Sequence, residues 1–209
     1  MTCQEGMTVM LRYGGSMNVQ ALQELIEDKF APGPLLAVQG LVNTYSFEDD
    51  EELMSDPEGS ELWLRRVGLI GPKVKVSPED HRELIQLREA VRAMLEANHT
   101  GRLEPGAAAK LRRLAADHPA GFTVEDDGGV ALDLRPAGSA GELIAQTIGI
   151  VADAQSHDRW RRLKICAADD CRWAFYDSSK NRGGTWCRME VCGNRVKNRR
   201  YRSRSAAEK

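Results

Sequence analysis

Apolar residues recur at helical intervals through most of the first 158 positions. Asn18 to Phe30 carries Val19, Leu22, Leu25, Ile26 and Phe30 at helical spacing, and Pro32-Gly33-Pro34 ends the pattern. Leu35 to Thr44 is a second apolar stretch read as helix. Asp49 to Asp56 reads as an acidic connector. Ser60 to Val67 reads as a short amphipathic helix carrying Leu62, Trp63 and Val67, stopped by Gly68 and Gly71-Pro72. The clearest start signal is Ser77-Pro78-Glu79-Asp80. It supplies a cap, a proline at the first helical position and two carboxylates at the positive end of the dipole. The stripe Leu84, Leu87, Ala90, Val91, Met94 and Leu95 continues that helix toward Gly101.

Ala107 to Asp117 predicts another helix, closed by His118-Pro119. Phe122 to Val124 and Val130 to Leu134 flank Asp127-Gly128-Gly129, the signal of a β-hairpin. Ser139 to His157 predicts a long late helix with Leu143, Ile144, Ile148 and Val151 on one face. The expected fold is mainly α. A helical N-terminal domain with one small β-hairpin spans residues 18–158, and a small four-cysteine module ending in a basic helix spans 159–205. Residues 1–17 are expected to be a disordered N-terminus and 206–209 a tail.

Charge divides the chain at the same place. The sum over 209 residues is −2, from 29 Lys+Arg against 31 Asp+Glu. Residues 1–158 hold 14 basic and 26 acidic side chains, or −12, while 159–204 hold 14 and 4, or +10. An acidic body joined to a basic tail points to an anionic partner for the tail, and the body is expected to compete for it. No apolar run reaches the ~18–20 residues of a membrane span, and Met1 to Met17 lacks the features of a signal peptide. A cytoplasmic protein with no membrane partner is expected, nucleoid-associated if it binds DNA. In that compartment grouped cysteines are metal ligands more often than disulfides.

Cys166 and Cys171 form one CxxxxC pair and Cys187 and Cys192 a second, with 15 residues between them. Four thiolates suit one tetrahedral, structural Zn²⁺. Arg172, Arg188 and Arg195 are near enough in sequence to offset the negative charge of such a centre. With few apolar residues of its own, the module would take much of its folding free energy from metal binding. Cys3 stands alone.

The segment after Cys192 is a cationic helix candidate. Arg195, Arg199 and Arg202 fall on one face, and Lys197, Arg200 and Arg204 on the others; Arg182 adds to the charge. Such density neutralises phosphates, and double-stranded DNA is the partner favoured. The same module on RNA stays open, because Trp173, Phe175, Tyr176, Trp186 and Tyr201 could stack on bases as well as pack a core. A protein-interaction adaptor with a structural zinc site also stays open, as do a homodimer and an unidentified small ligand of the body. Catalysis is not expected. His81, His99, His118 and His157 are scattered, no phosphate-binding fingerprint appears, and Asn43-Thr44 reads as a helix cap.

These residues resemble a known family. The C-terminal module is similar to the CGNR zinc finger through Cys192-Gly193-Asn194-Arg195, both cysteine pairs, Phe175 to Ser179, Trp186 and the Lys197 to Arg204 tail. The body resembles the ABATE domain through Leu41-Val42-Asn43-Thr44, Leu62 to Ile70 with Trp63, and Leu87-Arg88-Glu89-Ala90. The family commonly carries an aspartate ahead of Asn-Thr, where this chain has Gln39-Gly40-Leu41-Val42. The resemblance implies a stress-induced transcription regulator that binds DNA through the finger, with the body sensing a signal or mediating oligomerisation.

Overall fold

The computed structural model describes residues 17–207, and the side chains of Arg200 and of residues from 204 onward lie outside the description. The expected disordered N-terminus therefore lies outside the described residues up to position 16, as do positions 208 and 209 of the expected tail. Among the described residues no helix is long and apolar enough to cross a membrane.

Helix α2, Leu35–Val42, sits at the centre, and all eight of its residues are buried. A helix that is apolar all round must be covered on every side. Here α1 (Val19–Ile26), α4 (Pro78–Thr100) and α6 (Ala140–Ser156) pack against it. Gly40 permits the close approach of α1, since a Cβ there would run into the side chain of Leu22.

Side-chain caps open four of the helices, α1, α3 (Pro57–Arg66), α4 and α6. The Ser77 hydroxyl accepts from the Asp80 N–H at 3.1 Å, and the Asp80 carboxylate accepts from the Ser77 N–H at 2.9 Å, a reciprocal pair that opens α4. Gly101, at φ 69°, closes it in the left-handed region. Ser139 caps α6 by accepting from the Glu142 N–H. Helix α5 (Pro105–Asp117) packs on α4 and α6, and Leu114 is buried beneath it.

Two helices differ from the sequence expectation. Helix α1 stops at Ile26, not Phe30, because Glu27 and Lys29 adopt positive φ and turn the chain aside. The released backbone is used elsewhere: the Lys29 carbonyl accepts from Tyr176 N–H at 2.9 Å. Helix α3 spans Pro57–Arg66, starting three residues before Ser60, because Asp56 accepts from the Gly59 N–H at 2.8 Å and caps it. Leu62 lies on its exposed face, and Trp63, Leu64 and Val67 supply the buried one.

The expected hairpin is present as β3 (Phe122–Val124) and β4 (Val130–Leu132), antiparallel, with Thr123 opposite Ala131. Two further hairpins accompany it. Strands β1 (Tyr45–Ser46) and β2 (Glu51–Glu52) fold the expected acidic connector back on itself. Strands β5 (Leu163–Ile165) and β6 (Ala174–Tyr176) open the C-terminal module. A short 3₁₀ turn, Trp160–Arg162, leads into β5, and a π-helical turn, Met189–Gly193, leads into α7 (Asn194–Ala207).

The mainly α architecture is therefore as expected, but the two parts of the chain share a core. Leu163, Ile165 and Ala174 belong to the same buried cluster as Leu41, Leu87 and Ile144. Strand β5 lies against α4, and the turn before it against α6. A second, smaller cluster gathers Ala168, Phe175 and the four module cysteines.

Candidate metal centre and nucleic-acid interface

The β5–β6 hairpin and the start of α7 position the cysteines. Cys166 directly follows β5 and its N–H donates to the Trp173 carbonyl at 2.8 Å, continuing the ladder. A tight turn follows, in which the N–H groups of Cys171 and Arg172 both donate to the Ala168 carbonyl. This aims two sulfurs from one loop. Cys187 and Cys192 lie before and within the π-helical turn, where the Cys192 N–H donates to the Arg188 carbonyl at 3.0 Å. Gly193 is required by a close approach, because a Cβ there would crowd the Met189 side chain and lie 3.0 Å from the Trp186 ring.

All four sulfurs lie within 4.8 Å of one another, and all four cysteines are buried. Two sulfur pairs, Cys171–Cys187 and Cys187–Cys192, are 3.6 Å apart. A tetrahedral zinc site with Zn–S distances of ~2.3 Å has S–S edges of about 3.8 Å. The donor set and its spacing fit that ion.

Arg195 is the cation at the centre. One guanidinium nitrogen lies 3.6 Å from the Cys192 sulfur, another 2.5 Å from a Glu48 oxygen, and Asp170 is 3.4 Å away. The Glu48 hydrogen bond raises the guanidinium above its usual pKa, so it is a permanent charge. The other two arginines expected to offset the thiolates are engaged elsewhere. Arg172 pairs with Glu96 at 2.9 Å, and Arg188 with Glu27 at 2.9 Å.

Five of the seven basic residues singled out for nucleic acid have described side chains, and these fall into three groups. Arg195 and Arg199 share a face, as the spacing predicts, and that face looks back at Asp170, which Arg199 meets at 2.8 Å. Lys197 and Arg202 are exposed on α7. Arg182 lies on the loop after β6 and pairs with Asp158 at 2.5 Å. The side chains of Arg200 and Arg204 lie outside the described residues. Among the described residues the body therefore meets the basic module at five ion pairs: Glu27–Arg188, Glu48–Arg195, Glu96–Arg172, Asp153–Arg159 and Asp158–Arg182. Among the aromatic residues, Phe175 is buried, Trp173 and Trp186 pack against the cysteine cluster, and Tyr201 on α7 is 73% exposed.

The Asn43-Thr44 and Arg88-Glu89 segments fasten the two parts together. The Asn43 side chain both donates to the Ala174 carbonyl, at 2.9 Å, and accepts from the Ala174 N–H, at 2.8 Å. Gln39 bridges the Lys29 and Ala174 carbonyls at 3.1 Å each. Arg88 donates to Thr44 and Glu52, and Arg92 donates to the Val42 carbonyl at 2.6 Å from a nearly fully buried position. Burial lowers the Arg92 pKa, and Glu89 opposes that shift. Nothing local in the sequence flags these roles, since Asn43 and Ala174 are 131 positions apart. Between the end of α1, the β1–β2 hairpin and the cysteines lies a cleft of about 240 Å³, lined in part by Glu48, Trp173, Cys171 and Cys192.

Two family models match the chain. The ABATE model, described as "Putative stress-induced transcription regulator", matches residues 37–157, and the CGNR zinc finger model matches residues 162–205. The chain belongs to the ABATE family. A comparison with curated proteins finds no match. Arg195, Asp170 and the four sulfurs lie within the CGNR match, while Asn43, Thr44, Glu48, Arg88 and Arg92 lie within the ABATE match. Neither matched family is described as an enzyme.

Proposed function

We propose that this ABATE-family protein is a transcription regulator that binds double-stranded DNA through its CGNR finger and performs no catalysis. One structural zinc ion held by Cys166, Cys171, Cys187 and Cys192 would lock the β5–β6 turn to the first turn of α7, supplying folding free energy on the order of 10 kcal/mol. The body would sense a signal or mediate oligomerisation, including a homodimer. Its cleft beside the finger offers room for a small ligand. The working place of such a regulator is the cytoplasm, at the nucleoid.

The observation that carries this reading is the direct junction of the cysteine cluster and the cationic helix. Cys192 sits in the turn that becomes α7, so a metal centre and the helix form one rigid unit. A pre-ordered helix loses little entropy on binding. Lys197, Arg199, Arg200, Arg202 and Arg204 are the assigned contacts on it, with Arg182 on the loop after β6. Arg195 supports them from the metal centre. Exposed surface pairs such as Arg199–Asp170 are worth about 0–1 kcal/mol, so a phosphate can replace the carboxylate.

Replacing Lys197 and Arg202 by alanine tests the assignment. Binding to duplex DNA should weaken, and the slope of log K against log salt should become shallower by roughly 2. Unchanged affinity and slope would remove α7 from the interface. Exposed Tyr201 favours a second reading, in which α7 stacks on unpaired bases. Preference for single-stranded RNA over duplex DNA at fixed salt would decide for it.

A further inference from the structure

The loop from Ser178 to Gly184 is polar throughout, yet it is held from below by an ion pair taken out of solvent. Lys164 on β5 and Asp177 at the end of β6 meet at 2.8 Å, with side chains only 7% and 4% exposed. The Asp177 carboxylate also accepts from the N–H groups of Ser179, at 3.0 Å, and Gly184, at 2.7 Å. The Lys164 ammonium also donates to the carbonyls of Arg182, at 2.5 Å, and Gly184, at 3.1 Å. From the flank, Arg162 donates to the Asp177 and Ser179 carbonyls, both at 3.0 Å. Gly184 has to be glycine for this, because a Cβ there would lie 2.8 Å from the Asp177 carboxyl.

Burying such a pair costs several kcal/mol of desolvation per ion unless the remaining hydrogen-bonding positions are filled, and here they are filled by the loop's own backbone. The result is a fixed surface loop with an unusual division of labour. Its backbone is tied inward at both ends. The side chains of Ser178, Lys180 and Asn181 point to solvent with no hydrogen-bond partner among the described residues. Arg182 is held at φ 49°, a conformation disfavoured for a residue with a Cβ, and pairs outward with Asp158. The loop contains two cations, no carboxylate and no apolar residue.

A fixed loop whose charges are all positive and whose other side chains can hydrogen-bond suits a phosphate backbone, where contacts set orientation and carry no sequence information.

We propose that the Ser178–Gly184 loop is a second nucleic-acid contact of the finger, gripping backbone phosphates through Lys180, Asn181 and Arg182 while α7 approaches the same duplex. This rests on the nucleic-acid reading of the finger. The buried Lys164–Asp177 pair serves as the positioning element. Asp158 stands in for the phosphate that Arg182 meets in the complex.

The test uses the full-length, zinc-loaded protein and a labelled mixed-sequence DNA duplex, titrated across a salt series. The variants are Lys180→Ala, the double variant Lys180→Ala/Arg182→Ala, and Lys110→Ala as an exposed body control. Zinc content and thermal unfolding are measured for each. The double variant should bind about tenfold more weakly at low salt, with the log–log salt slope shallower by nearly 2. The single variant should show about half that change in slope, and the control none. Wild-type slope in the double variant, with zinc intact, would overturn the loop as a contact while leaving the nucleic-acid reading in place. Weaker binding at an unchanged slope would assign the loop a structural role and also overturn it. Absence of salt-dependent binding by the wild-type protein would overturn both readings together.

Discussion

Asn43 and Ala174 pair as two strands do, with the Asn43 side-chain amide taking the place of a backbone. It donates to the Ala174 carbonyl and accepts from the Ala174 N–H at 2.9 and 2.8 Å, and both residues are buried. One edge of the finger's first hairpin is thereby closed by the body. The helical part and the finger are joined through satisfied backbone groups as well as through a common core.

Replacing Asn43 by alanine removes the only partner of a buried N–H among the described residues, although Gln39 still serves the Ala174 carbonyl. An unsatisfied buried donor costs about 1–3 kcal/mol. The variant should lose about 2 kcal/mol in urea unfolding and release the finger's tryptophans earlier than the body's helices. A loss below about 0.5 kcal/mol would mean that the hairpin does not depend on this contact.

Arg195 gives a separate prediction for the metal centre. Its guanidinium lies beside the Cys192 sulfur and is braced by Glu48 and Asp170. Supporting groups of this kind typically contribute 10–100-fold to metal affinity. Arg195→Gln should therefore yield zinc to a competing chelator at about tenfold lower chelator concentration. Arg195→Lys should recover only part of this, since an ammonium lacks the planar fork that reaches three partners. Equal zinc retention in all three proteins would separate Arg195 from the centre.

Acid sensitivity can be assigned to Glu61. Hydrogen bonds from Lys75 and then Arg65 lower its carboxyl to about 2 from an ordinary 4.5. A depressed carboxylate contributes stability that is full above the unfolded pKa and is lost as pH falls through the folded one. The stability difference between wild type and Glu61→Gln should thus be constant above about pH 5 and shrink from about pH 4.5 toward pH 2. A difference that stays flat across that window would show that Lys75 and Arg65 do not stabilise the charged form.

Helical periodicity and cap chemistry made α4, α5, α6 and the β3–β4 hairpin legible, because those signals are local. The same kind of signal, Asp56-Pro57, also marks the start of α3, but the surrounding acidic residues hide it as a connector. Strands β1, β2, β5 and β6 are two or three residues long, too short for an alternating pattern to register. The end of α1 depends on Lys29 meeting Tyr176, a partner 147 positions away. The four cysteines were legible because their pairing repeats at one spacing. The sequence also placed Arg195 near the cysteines as a charge partner, but not its bracing by Glu48, 147 positions away, because a count of charges cannot tell a braced arginine from a free one.

The central claim is that the metal centre and the cationic helix act as one nucleic-acid-binding unit. It is tested most directly by measuring duplex-DNA affinity across a salt series for the zinc-loaded protein and for the same protein after chelation, with zinc counted per chain. The account predicts one zinc per chain, steeply salt-dependent binding when it is present, and at least a tenfold loss on its removal that is restored by adding zinc back. Equal affinity with and without the metal, or no salt-dependent binding in either state, would contradict it.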